Sequence, residues 1–218
     1  MLPHLTALKT DDFVLTGKGN NPAWKRAEWL TLSPIGSGPL RYETKAKVLW
    51  SKCGIYFLFD CQDEKIIAAH EEDFQELYMG DVVEVFLWPC KEQIVYFEYE
   101  VTPLNHELPL MVAHDGEVYH GWLPFKFRNE RKILHLTSVR GGEKKAGASI
   151  TGWTAELMIP WELLKGLRDV PPSAGSVWRM NLCRNDYGST PKTQWSWSTD
   201  DMTDFHNYSN FGSIELKE

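Results

Sequence analysis

The stretch from Gly80 to Asn105, GDVVEVFLWPCKEQIVYFEYEVTPLN, constrains the fold more than any other part of the chain. Two runs in it, Asp81 to Trp88 and Ile94 to Thr102, alternate strongly and are joined through Pro89, Cys90, Lys91 and Glu92. That is the pattern of an antiparallel hairpin in the middle of a β-sheet. Successive side chains of a strand point to opposite faces, so Val83, Val85 and Leu87 share a face with Val95, Phe97, Tyr99 and Val101, and that face suits a core. The other face carries Val82, Glu84, Phe86, Tyr96, Glu98 and Glu100. Carboxylates and aromatics mixed on one exposed sheet face predict a polar binding surface.

More strands follow the same rule. Thr44 to Trp50 alternates and Gly54 opens Ile55 to Cys61, giving a second hairpin. Lys132 to Val139, Gly152 to Ile159, Ser176 to Asp186, Gln194 to Ser198 and Ser213 to Lys217 are further candidates, while His106 to Tyr119 and Gly121 to Arg131 read as irregular. In SVWRMNLCRND, Trp178, Met180 and Leu182 fall on one face and Arg179, Asn181 and Cys183 on the other. Pro160 sets the first turn of a short helix through Leu164. Asp60 to Asp81 is a polar, acidic loop placed to fold over the rim of the Glu84 hairpin, and long loops of this kind carry function when ordered. Many short strands, frequent turns and one or two short helices predict an all-β fold, an antiparallel β-sandwich, in a single domain over residues 1–218.

Composition narrows the function. The net charge of −7 opposes the electrostatic attraction on which nucleic-acid binding depends, so no nucleic acid is expected. No window approaches the run of about eighteen apolar residues that spans a bilayer, so no membrane partner is expected either. The amino terminus, MLPHLTALKTDDF, has no basic start followed by an apolar core. The expected location is therefore cytoplasmic if the chain is complete, and periplasmic or secreted if a leader has been removed. Cys53, Cys61, Cys90 and Cys183 have no metal-binding spacing and read as free thiols. Ten tryptophans are a rich supply for one domain, and the excess goes either to the core or to stacking on sugar. Trp24 reads as an anchor of the amino-terminal segment, with Ala27 and Trp29 packing inward.

Seven separated segments then coincide with a family pattern: NPAWKRAEW, KVLWSKCGIYFLFDCQD, GDVVEVFLWP, YFEYEVTPLN, GWTAELMIPWELL, WRMNLCRND and FHNYSNFGSIEL. Together they resemble the family-9 carbohydrate-binding modules and their family-9-like relatives, over about Gly17 to Leu216. The resemblance implies a jelly-roll-like or immunoglobulin-like β-sandwich of the DOMON-like group. It implies a non-catalytic module that holds a sugar between two aromatic rings, often with structural calcium, in the context of xylan or other plant-glycan degradation; a monomer is expected. The two ring positions fall at Tyr78 and Phe205, and the strand glutamate falls at Glu84. The family's strand arginine falls near Glu100 and its glutamine near Cys183, a departure that removes two polar partners and implies an altered ligand or weaker affinity. A variant pattern, Asn-x-x-Arg on one strand and Phe-His in the last loop, is matched by Asn181, Arg184, Phe205 and His206.

The chemistry is consistent with this assignment. Pyranose rings stack their apolar faces on aromatics, and their hydroxyls need carboxylate, amide or guanidinium partners. Tyr78, Glu84, Glu100, Asn181, Arg184, Phe205 and His206 are therefore the candidate carbohydrate-binding residues. Each has a structural alternative: loop anchoring for Tyr78 and Phe205, an ion pair across the sheet for Glu84 and Arg184, capping or packing for His206. Asp60, Asp63 and Asp81 could supply oxygens to calcium or remain solvated loop charges; no other cofactor is expected. Three further classes stay open, one of them a degenerate sandwich that has lost its ligand and serves as a structural or interaction domain. A glycoside hydrolase of the endo-xylanase type would pair Glu84 with Glu98 or Glu100 as acid and base. A haem-binding redox domain of the same superfamily would draw axial ligands from Met79, Met180, His70 and His206.

Overall fold

A computed structural model describes residues 2–35, 42–188, 191–198 and 204–218. Leu40 and Arg41, in the approach to the second hairpin, and residues 199–203 of the last polar loop lie outside the described residues. The strands are β1 His4–Lys9, β2 Leu30–Thr31, β3 Ser33–Pro34, β4 Thr44–Trp50, β5 Gly54–Gln62, β6 Val82–Trp88, β7 Val95–Val101, β8 Glu107–His114, β9 Tyr119–Pro124, β10 Leu134–Arg140, β11 Gly152–Pro160, β12 Val177–Asp186, β13 Thr193–Ser196 and β14 Gly212–Lys217. One four-residue helix, α1 Trp161–Leu164, follows β11 with Pro160 as its cap. The chain is nearly all β, as its alternation predicts.

One continuous sheet runs β10-β11-β5-β4-β1-β14-β12-β6-β7-β8-β9 and curls so that its two ends face one another across a core. From one half come Val48, Phe57, Phe59, Trp153 and Leu157; from the other come Val83, Val85, Leu87, Phe97, Tyr99, Val101, Trp178, Met180 and Leu182. This two-layered arrangement is consistent with a β-sandwich. The inward faces of β6, β7 and β12 are those the alternation predicts.

Not all of the sheet is antiparallel. β1 joins the halves by pairing parallel to β14, from His4 with Ser213 to Leu8 with Lys217, and parallel to β4 through Leu8 with Leu49. Its partners are remote in sequence, and a short run near a terminus carries no local sign of such pairing. The segment read as irregular between His106 and Arg131 contains two strands instead. Pro109 interrupts the alternation of β8, but it pairs with Tyr99 and its carbonyl accepts from the Phe125 amide at 2.7 Å. β9, with Gly121 and Pro124, closes that end of the sheet, where such residues are tolerated.

The segment around Trp24 seals the outer surface of β4, β5 and β11. Trp24 is buried with Leu49, Tyr56 and Leu58, and its indole N–H donates to Glu156 Oε1 at 2.6 Å. Trp29 does not pack inward: it is 41% exposed, with Lys47 Nζ 4.7 Å from its ring centre. A lysine over an indole gains from the ring's negative face without requiring burial. All four cysteines are free, and Cys61, Cys90 and Cys183 are buried. No helix among the described residues is long and apolar enough to cross a membrane.

Candidate functional site

The face of β6, β7 and β12 turned away from the core is the floor of a cleft of ≈ 500 Å³. Register brings the acids together there: Glu84 lies opposite Glu100 on β7 and opposite Cys183 on β12, while Glu98, two residues from Glu100, pairs with Phe86. This face is not exposed as the sequence suggests. Glu84, Glu98 and Glu100 are buried because the turns Leu77–Met79 and Tyr208–Asn210 and strand β9 fold over them. Leu77, Phe205, Tyr208 and Phe211 pack with Val82, Phe86, Tyr96 and Cys183 in a second apolar cluster that surrounds the acids.

The walls are aromatic. Tyr78 stands in the turn Leu77–Met79, its carbonyl accepts from the Tyr187 hydroxyl at 3.0 Å, and its ring meets Trp122 of β9 edge-on at 6.3 Å. Gly80 lets this turn close: a Cβ there would come 2.7 Å from the Ile67 carbonyl oxygen, so the acidic loop can double back only with a glycine in place. Phe205 and His206 line the cleft from the segment before β14. His206 stacks on Tyr119 at 4.3 Å, and its Nδ1 is 2.8 Å from the Tyr96 hydroxyl.

At the floor, Asn185 donates through Nδ2 to Glu84 Oε1 at 2.8 Å and accepts through Oδ1 from Gln194 Nε2 at 2.8 Å. Burial pushes the Glu84 carboxyl up to about 8, opposed in part by Lys192 and the Asn185 hydrogen bond. Burial raises Glu98 and Glu100 well above the ordinary carboxyl range, and repulsion from Glu84 adds to both. Glu98 Oε2 and both oxygens of Glu100 lack a well-formed hydrogen bond among the described residues, although the Tyr78 backbone and Glu98 approach Glu100 closely enough to influence its proton. Burial lowers the proton affinity of His206, which favours the neutral ring.

These shifts make stability depend on pH with a definite sign. The folded chain retains protons on the three acids that the unfolded chain has already released, so their contribution is complete below about 4.5 and, for Glu84, lost as pH rises through about 8. Asp81 and Glu107, each raised by burial to about 7, act in the same direction. Urea midpoints measured between about pH 5 and pH 8 are expected to fall, and Glu100→Gln to flatten the fall. A midpoint that rises over this range would contradict the assignment of buried, protonated acids.

Of the seven residues singled out in the sequence, the structure brings Tyr78, Glu84, Glu100, Phe205 and His206 into one cleft. Asn181 is beside it and fully buried, donating to Ser196 Oγ at 3.0 Å and accepting from the Ser198 amide at 3.1 Å, so it braces the chain after β13. Arg184 is elsewhere. It alternates with Leu182 and so enters the core, 0% exposed, where Nη1 donates to Thr44 Oγ1 and the Gln62 carbonyl and Nη2 to Asp63 and Asp186. A whole sheet separates it from the cleft. The cleft also takes in Glu98, Trp122, Asn185, Lys192, Gln194 and Asp204, none of them among the seven. Alternation from Glu100 and Cys183 points to Glu98 and Asn185; Trp122 had no local signal, because β9 was not legible.

The carboxylates considered for calcium are engaged by the protein. Asp60 pairs with Arg140 at 2.7 Å, Asp63 with Arg184 at 3.1 Å, and Asp81 accepts from the Ile67 and Tyr187 amides at 2.6 and 2.8 Å. Among the described residues no group of three or more His, Cys, Asp or Glu is arranged to hold a metal, so calcium is not supported. The candidate haem ligands do not converge either. Met180 is in the core, His206 is on the opposite face of the sheet, and Met79 is half exposed.

The chain thus combines a curled, nearly all-β sheet with an aromatic-walled cleft floored by carboxyl groups on its outer face. The family model "Carbohydrate family 9 binding domain-like" matches residues 15–218, and the chain belongs to that family. Similar solved structures include a candidate carbohydrate-binding protein of Bacteroides uniformis ATCC 8492, 15% identical, with all of both chains covered and a TM-score of 0.77. A family-9 carbohydrate-binding module of Caldicellulosiruptor kristjanssonii in complex with cellotriose is 19% identical over 99% of this chain and 94% of that one, TM-score 0.69. The module from that organism in complex with glucose is 18% identical over 99% and 96%, TM-score 0.68. At these identities the likeness is one of fold. No curated protein sequence matches the chain.

Proposed function

We propose that this chain is a non-catalytic module that binds a mono- or short oligosaccharide in the cleft between Tyr78 and Trp122 on one side and Phe205 and His206 on the other. The observation that carries this reading is the meeting of rings and buried acids in one cavity of ≈ 500 Å³, within the range of small-ligand pockets. The pyranose face stacks on the rings while Glu84, Glu98, Glu100, Lys192 and Gln194 meet the hydroxyls. Asn181 and Asn185 hold this set in place; Arg184 takes no part. The glucose and cellotriose complexes of the Caldicellulosiruptor kristjanssonii module make those sugars the first to try, and the link to xylan or other plant glycans is part of the same proposal.

Titration calorimetry with glucose, cellotriose and xylotriose tests the reading. At least one is expected to bind, and no heat from any sugar with folded protein would overturn it. Glu84, raised to about 8 by burial and opposite Glu100 in register, is also an arrangement from which acid catalysis could start, since glycosidases work with two carboxyl groups. No reducing sugar is expected from xylan or cellulose oligomers. Release that disappears in Glu84→Gln would make the protein an enzyme.

A further inference from the structure

Among the described residues the cleft gathers four acids, Glu84, Glu98, Glu100 and Asp204, against one ammonium, Lys192. Of the polar groups around these acids, Asn185 Nδ2 donates to Glu84, Gln194 Nε2 to Asn185, and Lys192 Nζ uses one of its three hydrogens on the Tyr187 hydroxyl at 3.3 Å. His206 does not supply a compensating charge, since burial favours its neutral ring and Nδ1 is engaged with Tyr96. The guanidinium that could have balanced the acids is on the core side, committed to Asp63 and Asp186. What remains are Glu98 Oε2 and both oxygens of Glu100, on lining side chains more than nine-tenths buried and without a well-formed partner among the described residues.

A neutral pyranose hydroxyl both donates and accepts, and it is best met by a mixture of groups; clustered buried carboxyls, once one of them gives up its proton, are best met by a ligand that brings donors and positive charge together. A primary ammonium has three donors and no acceptor. We infer that the cleft selects an amino sugar, a hexosamine whose ammonium is received by Glu98 and Glu100 while its ring lies against Trp122 and Tyr78. This rests on the carbohydrate-binding reading and narrows it to a ligand class.

Proton balance follows from the same groups. In the empty cleft burial keeps Glu98 and Glu100 protonated, so receiving an ammonium expels a proton from at least one of them to solvent. Affinity for the amino sugar therefore rises with pH until the amine itself loses its proton, and then falls. The groups that set this balance are Glu84 on β6, Tyr96, Glu98 and Glu100 on β7, Tyr119 on β9, Cys183 on β12, Tyr78 in its turn, Lys192 before β13, and Asp204 and His206 before β14.

The experiment is calorimetry with glucosamine, glucose, N-acetylglucosamine and cellotriose, in two buffers of different ionisation enthalpy. Glucosamine is expected to bind about tenfold or more tighter than glucose or N-acetylglucosamine, the margin by which a charge-assisted hydrogen bond exceeds a neutral one. Its heat, unlike theirs, should depend on the buffer. Glu100→Gln and Glu98→Gln, each checked for cooperative unfolding as evidence of an intact fold, should remove that preference. Glucose or N-acetylglucosamine matching glucosamine, or a preference that survives both variants, overturns the amino-sugar inference and leaves carbohydrate binding standing. Failure of all four sugars overturns carbohydrate binding itself. Calcium chloride alone giving chelator-reversible heat while glucosamine gives none would assign the acids to a metal and also overturn the inference.

Discussion

Arg184→Met is expected to lower folding stability by about 3–5 kcal/mol, the usual cost of removing one partner from a buried ion pair. The side chain is 0% exposed, with four hydrogen bonds: to Thr44 Oγ1 at 2.9 Å, the Gln62 carbonyl at 2.8 Å, Asp63 Oδ2 at 3.1 Å and Asp186 Oδ2 at 3.2 Å. Its guanidinium also lies 4.7 Å from the ring centre of Trp195. It ties β12 of one half of the sheet to β4, β5 and the following acidic loop of the other. Methionine fills similar space but leaves Asp63 and Asp186 facing one another, and burial, with Asp186 adding to it, already pushes the Asp63 carboxyl upward against the pull of Arg184. Urea unfolding of the wild type and variant measures the loss, and adding Asp63→Asn to Arg184→Met should recover part of it. Folded variant molecules should bind sugar as the wild type does. A loss under about 1 kcal/mol would mean the pair is compensated by water or relaxation, and selective loss of binding with full stability would return Arg184 to the ligand.

The second large effect is expected at Trp122. Trp122→Ala should weaken sugar binding by about tenfold to a hundredfold, from lost stacking and lost apolar cover together. The ring is only partly buried, on the terminal strand β9, so the melting profile should shift little. Phe205→Ala, the variant that the aromatic-slot pattern recommends, is a poorer probe. Phe205 is 7% exposed and belongs to the cluster with Leu77, Tyr208 and Phe211, so truncation should cost about 3–5 kcal/mol of stability along with any binding. Unchanged affinity in Trp122→Ala, measured by calorimetry, would place the stacking surface elsewhere.

The two variants mark where local pattern succeeds and where it misleads. Alternation along WRMNLCRND already puts Arg184 with Trp178, Met180 and Leu182, on the core side, whereas matching an Asn-x-x-Arg motif assigns it to the ligand. The structure follows the alternation. Trp122 shows the reverse difficulty: Gly121, Pro124 and the nearby Pro109 obscure strands whose backbone pairing tolerates them at the end of the sheet.

The sequence by itself determined the all-β character, the hairpins, and the face to which each side chain of β6, β7 and β12 points, because a two-residue period is a property of the strand alone. Only the tertiary structure decided that the acidic face is covered rather than open, that β1 joins the halves of the sheet through residues more than 200 positions away, and that Arg184 meets Asp63 across a separation of 121. Burial, and with it the protonation of Glu84, Glu98 and Glu100, depends on which distant segments fold over a strand, and no local period encodes that.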